Sequence, residues 1–107
     1  MSLLDWLDSL PVKAQDKCRV RIERLGELGH ELRRPEADYL KDGVYELRAS
    51  LRGVNYRILY FFHGKTTAVL SHGLTKEMAV PPREIDRAVE RKKRFEADPK
   101  RHTLEQR

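Results

Sequence analysis

The chain holds a single cysteine, which excludes an intramolecular disulfide. Cys18 falls on the apolar stripe of a predicted helix, where a thiol serves as a small core residue rather than a nucleophile. No Cys/His grouping has zinc-ligand spacing, so a structural zinc site is not expected. No apolar run approaches the roughly 18 residues of a membrane span. The first ten residues carry Asp5 and Asp8 and no basic stretch, unlike a secretory leader. Together these shortages point to a cytoplasmic setting, with no membrane association. Charge, by contrast, is abundant. Charged residues make up 36% of 107 positions, and 22 Lys and Arg against 17 Asp and Glu leave a net charge of +5. A basic surface attracts polyanions and acidic proteins. The length fits one domain over residues 1–107, with 100–107 a polar, frayed tail.

Apolar spacing divides the chain into helices at both ends and strands between them. Leu3, Leu4, Trp6, Leu7 and Leu10 suit a short amphipathic helix. Pro11 suits the first turn of a second helix, whose stripe is Ala14, Cys18, Ile22, Leu25 and Leu28, with Gly29 as its stop. Residues 30–43 read as a connector in which Tyr39 and Leu40 form a short strand. Residues 44–51 alternate, with Tyr45, Leu47, Ala49 and Leu51 on one face and Glu46, Arg48 and Ser50 on the other. Arg52-Gly53 occupies a two-residue turn, and 54–62 is rich in aromatic and branched residues. The apolar run in 66–74 predicts a central strand. After Pro81-Pro82, the positions Ile85, Ala88, Val89 and Phe95 predict a closing helix, with 91–94 on its solvated face. The fold class is therefore α+β: a small antiparallel β-sheet packed against an N-terminal helical hairpin, with a C-terminal helix. Tyr45, Leu47, Ile58, Tyr60, Val69 and Leu70 are expected on the core face.

Four basic groups, Arg48, Arg57, His72 and Lys76, sit at strand positions where a purely structural sheet carries uncharged residues. Each has an ordinary role available: Arg48 pairing with Glu46, Arg57 covering an edge, His72 packing. As a group they suit a phosphodiester. Attack by a 2′-OH on the adjacent phosphorus builds negative charge that Arg and Lys stabilise. A base and an acid are also needed, and Lys76, His72 or a tyrosine could serve. No carboxylate cluster suggests a two-metal nuclease, and no cofactor is expected.

The strings DGVYELR, YRILYFF, LSHGLTKE and PPREIDRA together resemble the RelE/HigB toxin superfamily, closest to the phage-derived HigB-like branch of type II toxin–antitoxin systems. The resemblance runs from about Leu7 to Phe95. It implies a RelE-like fold and a ribosome-dependent mRNA endoribonuclease (an mRNA interferase) held inactive by a cognate antitoxin. That antitoxin would be a HigA-like protein with a helix-turn-helix domain. Arg48 matches the arginine of the family's YELR string, Arg57 and Tyr60 match its YRILY string, and Lys76 matches the first lysine of its F-x-K-K element. The implied catalytic set is thus Arg57, Lys76, Arg48, His72 and Tyr60, with mRNA and the ribosome as further partners. The chain departs from the pattern at Leu74, in place of phenylalanine, and at Glu77, in place of the second lysine. A strand that the family places before the first helix has no counterpart here, so it is missing or the start is truncated. A bare sheet edge then calls for cover by another chain, by the antitoxin or by the first helix, and an oligomer is one outcome. The antitoxin is expected to dock an acidic or amphipathic segment on the basic surface or between the helices. A ParE-like gyrase inhibitor and a non-catalytic partner- or RNA-binding member are the alternatives.

Overall fold

Two short turns, Asp42-Gly43 and Arg52-Gly53, organise the middle of the chain. All four residues have positive φ, at 50°, 83°, 52° and 80°. Positive φ at both central residues matches the twist of a tight hairpin. In the computed structural model, which describes residues 2–75 and 79–98, these turns join β1 (Ala37–Lys41), β2 (Val44–Leu51) and β3 (Val54–His63). A third turn leads to β4 (Thr67–Thr75). The four strands form one antiparallel meander in the order β1-β2-β3-β4.

The helices cover both faces of this sheet. On one face lie α1 (Leu3–Asp8) and α2 (Val12–Leu28). The α2 stripe of Ala14, Cys18 and Leu25 is buried against Leu47, Ala49, Tyr56, Ile58 and Tyr60. Trp6 of α1 lies over Gly73, where an added Cβ would meet the indole at 2.2 Å. The other face is covered by α3 (Pro82–Ala97), with Pro82 well placed in its first turn. Val44, Leu59, Leu74, Val80 and Ala88 form one cluster there, and Phe61, Val69 and Phe95 another. The architecture is α+β, as the apolar periods indicate.

Four details differ from the sequence expectations. Val69 is buried, but on the α3 face rather than beside Leu70, Leu47 and Ile58. Adjacent strand residues face opposite sides, so Val69 and Leu70 cannot share one face; an extra residue in β4 at Ser71, where Leu59 pairs with His72 and Tyr60 with Leu70, sets which of the two meets α3. Such a bulge changes which face the following residues occupy. Second, β4 is an edge strand, not a central one. Its apolar run reflects helices on both faces rather than strands on both sides. Third, Leu59 and Phe61, on the side opposite the expected core face, are as fully buried as Ile58 and Tyr60. Fourth, Arg91 does not stand in solvent with Lys93. It donates to the Ser71 carbonyl at 2.6 Å. The connector also holds more structure than expected, with a 3-10 turn at Gly29–Glu31 before the five-residue β1. Among the described residues no helix is long and apolar enough to cross a membrane.

Candidate functional site

The two-residue turn at Arg52-Gly53 sets the register of β2 against β3. Leu51 pairs with Val54, and three steps further back Arg48 stands directly opposite Arg57. On the α3 face the cross-strand rows run Glu46–Leu59–His72 and then Arg48–Arg57–Leu74. Two guanidiniums thus share one face and one row, where like charges repel.

Glu46 resolves that conflict. Its side chain is 2% exposed, and a carboxylate that deeply buried needs charged partners. Arg57 Nη1 donates to both of its oxygens, at 2.9 and 2.8 Å, and Arg48 Nε donates to Oε1. Arg48 also reaches Asp38 Oδ2 at 3.2 Å through Nη2, and Arg34 donates to the same oxygen at 2.8 Å. Beside this chain of charges, Arg24 and Arg21 both pair with Glu36. Arg21 further donates to the Arg48 carbonyl at 2.9 Å. In these contacts five guanidiniums meet three carboxylates, leaving an excess of positive charge. Arg34 holds the Asp38 carboxyl below the usual range, and Arg24 does the same for Glu36. Both carboxylates are therefore ionised at neutral pH.

The two central arginines differ in access. The Arg48 side chain is 36% exposed and Arg57 only 11%. Arg57 Nε is buried and has no hydrogen-bond acceptor among the described residues. An anion arriving from solvent therefore meets Arg48 first. Arg57 contributes charge from behind it, one nitrogen already committed to Glu46.

The other candidate residues are placed differently. His72 lies one row away and is 4% exposed beneath α3. Its Nδ1 lies 2.9 Å from Ser71 Oγ, and its Nε2 is 3.2 Å from Glu84 Oε1. Burial, aided by Arg91 and Arg87 and opposed by Glu84, lowers its pKa, so the ring is neutral at pH 7. Tyr60 is on the opposite face, 1% exposed, among Tyr45, Phe62 and the α2 residues. Burial and the nearby Tyr45 push its pKa up to about 12. It does not share a site with Arg48 and Arg57. Lys76 and Glu77 lie outside the described residues.

The sequence offers Glu46 as a partner for Arg48, and the structure bears that pairing out; what the sequence reading missed is that Glu46 also holds Arg57 and that Asp38 and Glu36 join the network. Glu46 shares strand parity with Arg48, two residues away, and that spacing is a readable signal for a buried counter-charge. Asp38 and Glu36 fall where only a connector was expected, so nothing in the sequence reading tied them to the arginines. Among the described residues no group of three His, Cys, Asp or Glu is arranged to hold a metal ion.

The arrangement can bind an anion at a rigid, basic, partly shielded sheet surface. No curated protein and no solved structure shows significant similarity to the chain. A family model does match, over residues 5–93, with the description Phage derived protein Gp49-like (DUF891). The match spans both arginines and all the secondary structure from the first helix into the last. The chain therefore belongs to the phage-derived Gp49-like family, a RelE/HigB-like toxin family of toxin–antitoxin systems.

Proposed function

We propose that this chain is the toxin of a type II toxin–antitoxin pair and cleaves mRNA on the ribosome. The observation that carries this reading is the side-by-side placement of Arg48 and Arg57, held by one buried carboxylate. In the proposed reaction Arg48 meets the scissile phosphate and Arg57 adds charge from the layer behind. A 2′-OH attacks the adjacent phosphorus, the P–O5′ bond breaks, and a 2′,3′-cyclic phosphate is left. The two guanidiniums offset charge that grows in the pentacoordinate transition state. Lys76, by the family resemblance, is the third cation and the candidate for moving a proton. The antitoxin would hold this activity in check.

A second reading has a specific observation in its favour. Both titratable groups proposed to assist, His72 and Tyr60, are withdrawn from the arginine pair, one beneath α3 and one on the far face. A member that binds RNA or protein without cutting, or a gyrase poison, needs no such group. Expressing the chain without a partner and mapping nucleic-acid ends separates these readings. Cuts within codons of translated mRNA support the nuclease. DNA damage without such cuts supports the gyrase poison, and neither outcome supports the binding member.

A further inference from the structure

Pairing of β1 with β2 ends at Ala37 opposite Leu47, but β2 runs on to Leu51. The last stretch of β2 therefore has β3 on one side and an open edge on the other. At Arg48 that edge is already filled. Its N–H donates to the Glu36 carbonyl at 2.7 Å, and its carbonyl accepts from Arg21 Nε at 2.9 Å. Main-chain groups alternate in direction along an antiparallel strand, so Ser50 turns its N–H and C=O the same way. Among the described residues no strand pairs with Ser50 on that side.

A recess of 240 Å³ opens at this edge. Ala49 and Ser50 form one side, and Asp16, Lys17, Val20 and Arg21 of α2 form the other. Arg21 is committed to the Arg48 carbonyl and to Glu36, so it frames the recess rather than serving a ligand. Asp16 and Lys17 are exposed, and among the described residues neither is held in an ion pair. Val20, 50% exposed, offers an apolar surface to a flat ring. A main-chain donor and acceptor, a carboxylate, an ammonium and an apolar patch together suit the edge of a nucleobase.

The position of the recess ties it to the arginine row. Ser50 lies two residues along β2 from Arg48, about 7 Å, while Ala49 between them packs toward α2. A phosphate on Arg48 and a base turned over the strand edge into the recess then belong to one nucleotide. Among the bases, guanine answers the donor set best. It alone carries two adjacent N–H donors, at N1 and N2, for the Asp16 carboxylate, and its neighbouring O6 accepts from Lys17.

We propose that this recess binds a guanine of the RNA strand whose phosphate rests on Arg48, and so sets the base preference of cleavage. The proposal rests on the reading of the arginine row as a phosphate site.

The test uses the full chain, isotope-labelled, and short uridine RNAs carrying a central guanosine, inosine, adenosine or uridine. Their 2′-O-methyl sugars leave no 2′-OH to attack. Amide NMR shifts and the dissociation constants from them are the readout, with GMP as a separate ligand. The guanosine RNA should bind about fivefold or more tightly than the other three, the scale of one bidentate base contact, and shift the amides of residues 16–21 and 49–50. Inosine lacks the N2 donors, so it isolates the Asp16 contact. Asp16→Asn should erase the preference and leave uridine RNA binding and the thermal midpoint unchanged, since Asp16 is exposed. Arg48→Ala should weaken all four RNAs alike and keep their ranking. Equal affinities for the four RNAs overturn the proposal. So do shifts that bypass residues 16–21 and 49–50, or a preference that survives Asp16→Asn. GMP shifts in the recess without RNA binding at about 1 mM identify a free-nucleotide site and overturn the RNA occupant; no binding of either ligand overturns the recess itself. A guanine preference that persists while Arg48→Ala leaves every affinity unchanged counts against the arginine site and leaves the recess standing.

Discussion

Replacing Glu46 by glutamine keeps the shape of the side chain and removes the charge that holds Arg48 and Arg57 in one row. The Glu46 side chain is 2% exposed and Arg57 11%, so this pair is poorly screened by water. Removing one partner of a buried pair costs about 3–5 kcal/mol, because the remaining charge is left uncompensated. The Arg48 contact adds little, since its side chain is 36% exposed and exposed pairs contribute about 0–1 kcal/mol. The lower half of the range, about 3–4 kcal/mol, is therefore the working figure. That is a large share of the roughly 5–15 kcal/mol that holds a domain together. At roughly 4 °C or more per kcal/mol for a chain of this size, the thermal midpoint should fall by at least about 12 °C. Urea unfolding of Glu46→Gln, Arg57→Gln and the double variant measures the coupling directly. The double variant should be more stable than the sum of the single losses implies, by about 1–3 kcal/mol. If Glu46→Gln unfolds within about 1 kcal/mol of the parent and the coupling is near zero, the charge network does not organise this face. Arg57→Ala should weaken the fold as well as the site, because it strands the buried Glu46 carboxylate.

Other outcomes follow from particular contacts. Gly73→Ala puts a methyl group against the Trp6 ring, and such overpacking should cost about 1–3 kcal/mol by thermal melt; an unchanged midpoint would mean that α1 is free to shift. His72 resists protonation in the fold, so its contribution to stability is complete above the unfolded pKa near 6.5 and declines as pH falls below it, by up to about 1.4 kcal/mol per pH unit. His72→Gln should flatten that part of the stability–pH curve, and an unchanged slope would contradict the assignment. Asp38 and Glu36, with lowered pKa values, add a second loss below pH about 4 that Arg34→Ala and Arg24→Ala should each reduce. Lys93→Ala, on an exposed position of α3, should leave both stability and RNA cleavage unchanged.

Much of the fold was legible because local signals agree. Glycine follows Asp42 and Arg52 where two-residue turns need positive φ, and strict alternation on either side assigns the hairpins. The register of the site was legible in principle as well. Counting back from a two-residue turn at Arg52-Gly53 places Arg48 opposite Arg57 with no structural input. The same parity separates Tyr60 from Arg57, since residues three apart on a regular strand face opposite sides; motif matching alone grouped them. What was not legible depends on long-range packing. Alternation alone separates Val69 from Leu70, but the bulge at Ser71 decides which of them faces α3, and no residue type announces it. The edge position of β4 was hidden because burial by helices on both faces mimics the apolar run of a central strand. Asp38 reaches Arg48 only once β1 has paired with β2, and Glu36 reaches Arg21 and Arg24 only once α2 has packed on the sheet, contacts that no local pattern encodes.

The central claim is that the arginine row handles an RNA phosphate. Arg48→Ala tests it most directly, because Arg48 is the exposed member of the row and its removal leaves Arg57 still paired with Glu46. The measurement is the rate of mRNA cleavage on purified translating ribosomes, with the cleaved ends analysed chemically and the fold checked by thermal melt. The account predicts cuts by the parent chain that leave 2′,3′-cyclic phosphate and persist in EDTA. It predicts a rate about a hundred- to thousandfold lower for Arg48→Ala, the scale of losing one transition-state contact, with stability within about 1 kcal/mol of the parent. Cleavage by Arg48→Ala at the parental rate, or no cleavage by a well-folded parent chain, would contradict it.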